Sequence, residues 1–234
     1  MIVSINQPCY LPWLGYFDRI ASSDLHVILD NVQFEKNSFT NRNKIRTEQG
    51  WCWLSVPVDT GGKFGSLVIK DIEIASDPRW QRKHRMTIEQ NYLRSPFFSE
   101  HAAFVERIYA MTWRRLIDLI DEMNAYWLDA LGIKTRLIRA SSMRTTAHKS
   151  DLVLEICQRM GASIYLSGPL GRNYLDPSKF QAAGIDVVFH EYNHPTYRQC
   201  HPGFEPYMAA LDLLFNEGPA SLGILRNPVV RQHA

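Results

Sequence analysis

The sequence predicts an α/β fold, an open parallel sheet of about five strands interrupted once by a β-hairpin and helical insertion. Three observations carry this. Short, nearly continuous apolar runs recur along the chain, stretches with helical spacing lie between them, and only residues 51–131 break the alternation. Helices cover both faces of a parallel sheet, so its strands read as such runs.

The first unit is strand, helix, strand. "IVSI" (2–5) and "LHVIL" (25–29) flank "LGYFDRIA", which places Leu14, Phe17, Ile20 and Ala21 on one stripe. A right-handed crossover follows from that order. From residue 51 "WCWLSVPV" alternates, with Cys52, Leu54, Val56 and Val58 on one face. "LVIKDIEI" (67–74) follows the glycine-rich "TGGKFG", which predicts a hairpin between the two runs. Asp77 and Pro78 then open a helix over "DPRWQRKHRMTIEQNYL". Leu116, Ile120, Met123, Trp127 and Leu131 stripe another that stops at Gly132.

Alternation resumes with "KTRLI" (134–138) and a helix over "SDLVLEICQRMG", which Ser150 can cap and Gly161 can end. "SIYLSG" (163–168) is the next strand, "DPSKFQAAG" a short helix, "DVVFHEY" (186–192) the last core strand and "FEPYMAALDLLFNEG" a closing helix. The whole chain, 1–234, is expected to form a single domain with a Rossmann-like sheet in the order 3-2-1-4-5. The insertion at 51–131 is a lid, a homodimer surface or both.

Composition excludes several classes. Hydrophobic residues at 45% and charged residues at 21% are ordinary for a globular chain, so disorder and fibrous repeats are poor readings. A net charge of +2 is too slight for a nucleic-acid or membrane-surface partner. "MIVSINQP" lacks the features of a secretory signal, and no apolar run is long enough to insert in a membrane, so a cytoplasmic location is expected. Cys9, Cys52, Cys157 and Cys200 are scattered without a CxxC pair, and no HxH or HExxH motif appears. No metal site is therefore expected.

Ligands of open parallel sheets sit beyond the carboxyl ends of strands where strand order reverses. Two unusual loops fall there. In "NQPCYLPW" Pro8 and Pro12 hold one shape while Tyr10, Trp13 and Tyr16 offer flat faces with polar edges; a rigid turn whose aromatics cap the core is the plain alternative. "SGPLGRNYLDP" supplies Ser167, Gly168, Gly171, Arg172, Asn173, Tyr174 and Asp176, suited to a phosphate or carboxylate, although ordinary turn chemistry accounts for its glycines equally well. A third stretch, "LDNVQFEKNSFTNRNKI", sets Asp30 and Gln33 past a strand end and puts Asn41, Arg42 and Lys44 where they can hold a diphosphate, or form a solvated turn.

Proton transfer calls on histidine. His190 ends a strand at the carboxyl edge and His194 begins "HPTYRQ", so these two are the candidate bases, whereas His84 falls on a helix. Ser141 and Ser142 in "RASSM" can bind ligand or cap a helix. Cys9 needs a cationic neighbour to act as a nucleophile.

"QPCYLPWLGYFDRI", "LDNVQFEKNSFTNRNKI", "RASSM", "YLSGPLGRNYLD", "HPTYRQ" and "LDLLFNEG", in this order over residues 2–218, resemble the WbqC-like family of bacterial O-antigen and surface-sugar gene clusters. The resemblance implies acyl or aminoacyl transfer to an amino sugar nucleotide, in lipopolysaccharide or related glycan synthesis. It carries over Gln7, Tyr10, Trp13, Gln33, Asn41, Arg42, Ser167, Gly168, Tyr174 and Tyr197 as site residues. Position 9 departs from the family pattern, which weakens a thiol role for Cys9. The strand, Pro-containing turn and helix also resemble nucleotidyltransferases with an HxGH motif, but "LPWLGY" holds neither histidine.

Three functions are consistent with these residues. A transferase would use a sugar nucleotide, with a nucleotide or acyl thioester as co-substrate and no certain cofactor; Arg42, Lys44 and Arg172 would hold the anionic part. An adenylate-forming or nucleotidyltransferase-like enzyme would release diphosphate. A non-catalytic component of a polysaccharide pathway would bind without turnover.

Overall fold

In the computed structural model, which describes residues 1–62 and 65–226, the chain opens with β1 (Ile2–Asn6), α1 (Leu14–Ala21) and β2 (Leu25–Ile28). An insertion follows, comprising β3 (Arg42–Thr47), β4 (Gly50–Ser55), β5 (Val58–Asp59), β6 (Glu73–Ile74), α2 (Arg79–Tyr92), α3 (Phe98–Ala110) and α4 (Leu116–Ala130). The second half contains β7 (Arg136–Arg139), α5 (Lys149–Arg159), β8 (Ile164–Ser167), α6 (Pro177–Ala182), β9 (Asp186–Phe189), α7 (Ala210–Glu217) and α8 (Ser221–Arg226). Five strands pair in parallel in the order β7-β2-β1-β8-β9, the order expected from the sequence. Strand order reverses between β1 and β8.

The two faces of the sheet differ chemically. Val3, Ile5, Leu25 and Val27 point into a core with Ile156 and Cys157 of α5 and Phe180 of α6. Opposite them Ser4 and His26 are buried polar residues, joined by a 2.8 Å bond between Ser4 Oγ and His26 Nδ1, and Ser4 Oγ also meets Ser23 Oγ at 2.8 Å. Tyr16 of α1 covers this chain, edge-on to His26. A second, larger core joins α1 to the hairpin, to α2–α4 and to α7.

Four local expectations change. The strand "WCWLSVPV" pairs mainly with β3, not with 67–74, in the register Arg42↔Ser55 to Thr47↔Gly50; only Val58–Asp59 meets Glu73–Ile74. Two residues turn the β3–β4 hairpin, a cheaper closure than the long "TGGKFG" connection, two of whose residues, 63 and 64, lie outside the described ones. The polar run "NRNKIRT" hides a strand because its outward cations lie on tryptophans: Arg42 over Trp53 at 4.5 Å and Lys44 over Trp51 at 4.0 Å. Ser150 does not cap α5, where His148 holds the cap position; its Oγ accepts from Asp176 N at 3.0 Å. The closing helix starts only at Ala210, because Ala209 is bridged to Trp13 and its N–H bonds Lys44 O at 2.8 Å.

Two buried histidines couple this fold to pH. Burial, aided by Lys83, lowers His84 from 6.5 to about 4. Burial, aided by Arg19, lowers His26 to about 3. Between pH 6.5 and 4 the unfolded chain binds protons that the folded chain refuses, so stability is full above that window and falls as pH drops through it. The loss is roughly 3 kcal/mol per histidine by pH 4. Urea midpoints measured from pH 7 to 4 should therefore decline, and decline less steeply in His84→Gln; parallel slopes in the two proteins would exclude this histidine as a source.

Candidate active site

The loop after β1 is held from three sides. Tyr10 N–H donates to Phe39 O at 3.1 Å, Asn43 Nδ2 to Leu11 O at 2.7 Å, and Ala210 N–H to Pro12 O at 2.8 Å. Leu11, buried, adopts φ 48°, a left-handed conformation that a non-glycine residue holds only when its surroundings enforce it. Trp13 then folds over the start of α1, where Gly15 leaves room: a Cβ there would lie 2.3 Å from the indole. Trp13 packs edge-on against Tyr192 and Tyr207, at 5.6 and 5.8 Å.

Side chains lean toward the N-terminus of their helix, so Arg19 of α1 reaches back to the carboxyl edge of the sheet. Its guanidinium donates to Asn6 Oδ1 at the end of β1 and lies against Gly168 at the end of β8, where a Cβ would sit 2.1 Å from Nη1. Burial lowers its pKa, partly offset by Tyr165, Tyr16 and Tyr174. Arg19 has no ion-pair partner among the described residues, and its Nε and Asn6 Nδ2 are buried without acceptors. The point where strand order reverses thus carries a cation and two uncommitted donors.

Beside it, His190 follows β9, and its N–H donates to Ser167 O at 2.8 Å. Its Nε2 lies 2.7 Å from Asp18 Oδ2, with both side chains largely buried. A carboxylate can only accept, so in the neutral imidazole Nε2 is the protonated nitrogen and Nδ1 the one with the lone pair. Among the described residues Nδ1 has no hydrogen-bond partner. The ring stacks at 6.0 Å on Tyr192, itself in contact with Trp13.

His194 is placed differently. Nδ1–H donates to Pro195 O at 2.8 Å and Nε2 accepts from Tyr207 N at 3.1 Å, so both ring nitrogens are committed and no lone pair is free.

The other expected site residues divide by location. Ser167 accepts from the His190 backbone, Gly168 lies against Arg19, the half-exposed Tyr174 acts on Arg19 electrostatically, and Gln7 is exposed just beyond β1. Arg172 lies 4.2 Å over Phe189 and pairs with Glu191 at 3.0 Å. Asp176 caps α6 through Ser178 N. Tyr10 is fully buried, its hydroxyl bonded to His84 Nδ1 at 2.8 Å and to Tyr109 at 2.5 Å, so both Tyr10 and His84 serve packing. Asp30 accepts from Ser141 N and Oγ, and Ser142 Oγ donates to Arg139 O. Tyr197 donates to the buried Asp212. Gln33 bridges Val68, and Asn41 Nδ2 donates to Val56 O. Burial pushes the Cys9 thiol far up, leaving it protonated.

Arg42 and Lys44 form a separate strip with Trp51, Trp53 and the exposed Phe39. No hydrogen bond, ion pair or ring contact among the described residues links that strip to Arg19, His190 or Arg172. Arg42 and Lys44, expected with Arg172 to hold the anionic part of a substrate, thus share no direct contact with it among the described residues. No group of three or more His, Cys, Asp or Glu side chains comes together to hold a metal among the described residues.

The profile of the WbqC-like protein family matches residues 7–224. The chain belongs to this family. A Mycobacterium tuberculosis protein described only as uncharacterized is 35% identical over 227 residues, covering 96% of this chain and 97% of its own. No solved structure matches the chain. Among the described residues no helix of this WbqC-like protein is long and apolar enough to cross a membrane. Sequence reasoning missed Asp18, Arg19 and Asn6, since a charged pair within an amphipathic helix gives no sign of which end of the sheet it reaches.

The two close glycine approaches should respond differently to a methyl group. In Gly168→Ala the flexible end of Arg19 swings aside, so urea unfolding should change by less than about 1 kcal/mol. Gly15→Ala meets a rigid indole and should lose about 1–3 kcal/mol. Equal losses would mean that Arg19 is fixed as firmly as Trp13.

Proposed function

We propose that this WbqC-like protein is a small-molecule transferase that moves an acyl or aminoacyl group onto the amine of an amino sugar nucleotide, in the making of O-antigen or a related surface glycan. The observation that carries this reading is the Asp18–His190 pair beside an unpaired, buried Arg19 at the reversal of strand order. The glycan context rests on family membership alone.

An amine attacks a carbonyl only through its lone pair. His190 Nδ1 takes the proton that the amine loses as the new C–N bond forms, and Asp18 stabilises the resulting imidazolium. The carbonyl oxygen gains negative charge in that step, and the Arg19 guanidinium with Asn6 Nδ2 supplies donors that have no partner among the described residues. Collapse of the intermediate breaks the bond to the leaving group. With an acyl thioester as donor, the leaving thiolate takes up the proton held by His190. Trp13 and Tyr192 provide flat walls for base or sugar. Arg42, Lys44 and their tryptophans would meet the anionic end of a long substrate.

Adenylate formation is a second reading, favoured by the same cation, because a nucleotide phosphate would also satisfy Arg19. Incubating the protein with a UDP-linked amino sugar and acetyl-CoA, and in parallel with ATP and a carboxylic acid, separates the two. Transfer predicts a rise in melting temperature with the sugar nucleotide and release of free thiol. Diphosphate release from ATP, without thiol, would replace the proposal with adenylation, and stabilisation without any turnover would make the protein a binding component. If transfer holds, His190→Gln should lower kcat by ~10²-fold or more with little change in KM. Arg19→Gln should erase the ligand-dependent rise in melting temperature, and undiminished turnover in His190→Gln would remove it as the base.

A further inference from the structure

A cavity of about 410 Å³ lies between α4 and the sheet edge at β7, away from the reversal point. One stripe of α4 lines it, with Asp121, Asn124 and Leu128 at successive turns, and Leu137 and Arg139 of β7 face them. It is more than twice the size of the ~150 Å³ apolar cavity that admits benzene. Its walls are largely apolar. Its polar end is unusual: Asn124 is 4% exposed yet its Oδ1 has no donor, and Asp121 Oδ1 is likewise buried without one. Only Asp121 Oδ2 is occupied, by Arg139 Nε at 2.6 Å.

Charge at this end is unbalanced. Burial raises the Asp121 carboxyl above the usual carboxylate range, Arg139 opposes this, and the nearby carboxylates of Asp30 and Asp118 add to it. Asp118 pairs with Arg115, Asp121 with Arg139, and Asp30 is bonded only to Ser141 N and Oγ, so one negative charge lacks a cation. At the other end Lys134 and Asp129 neutralise each other. Two bare acceptors, a surplus negative charge and apolar walls together select a donor that is cationic and carries a hydrocarbon body.

We propose that the α4–β7 cavity is a binding site for an aliphatic ammonium compound, with the ammonium between Asp121 Oδ1 and Asn124 Oδ1 and the hydrocarbon against Leu128 and Leu137. The site is independent of the crevice at Arg19 and His190, and it stands or falls without the transferase reading.

Cyclohexylammonium is a suitable probe, with cyclohexanol as its neutral counterpart. Titration into the full chain at pH 7, followed by heteronuclear NMR, should shift the Asn124 side-chain amide and the Leu128 and Leu137 methyl signals, with the ammonium binding at least tenfold more tightly than the alcohol. Asn124→Leu and Asp121→Asn should each weaken binding tenfold or more. Ala125→Phe, at the cavity mouth, should abolish it. Absence of saturable binding, equal affinity for the alcohol, or shifts that persist in the variants would overturn the proposal and leave a cavity filled by water. If Asp121→Asn unfolds through its tie to Arg139, Asn124→Leu and Ala125→Phe still decide the matter, provided their thermal unfolding stays cooperative.

Discussion

One buried amide organises the molecule. Asn43, 1% exposed, donates to the carbonyl of Leu11 and thereby fastens the β3–β4 hairpin to the loop that leaves the first strand. A buried carbonyl without a donor is costly, so the loop and the hairpin hold one arrangement or both lose it. Tyr10 and Pro12 extend the clamp to residue 39 and to the start of α7. The prolines of "QPCYLPW" limit the loop's freedom in the unfolded chain, so fixing it costs less.

That clamp sets the entry to α1, and α1 sets the crevice. Asp18 and Arg19 are neighbours in sequence but engage different strands: one orients His190 beyond β9, the other spans the gap between β1 and β8. A single short helix therefore positions a base and a cation at the same reversal of strand order. Buried, under-partnered polar groups weaken a fold unless a ligand or water completes them, and two of them, Arg19 Nε and Asn6 Nδ2, sit together where strand order reverses.

Strand positions, their parallel order and the stripe of α4 were legible because each is a matter of local periodicity and of the handedness of crossovers. Leu116, Ile120, Met123, Trp127 and Leu131 are all buried as their spacing requires. The hairpin was misread at one strand, since Arg42 and Lys44 made β3 look like a solvated turn, and only their stacking on Trp53 and Trp51 makes those positions strand-like. At the crevice, Ser167, Gly168 and His190 could be anticipated from their place after strands. Their partners could not, because a hydrogen bond spanning 172 residues, such as that of His190 with Asp18, leaves no trace in spacing.

By itself the sequence determined the class of fold, the edge of the sheet where chemistry is placed, and the kinship of the chain. These depend on patterns that repeat over a few residues or on blocks that can be compared directly. Tertiary structure alone decided that His190 rather than His194 keeps an unpartnered ring nitrogen, that the buried Arg19 lacks a carboxylate, and that a second stripe of α4, through Asp121, Asn124 and Leu128, borders a cavity while the first packs in the core. Each of those is a question of whether distant side chains satisfy one another, and satisfaction is settled only when the chain has closed on itself.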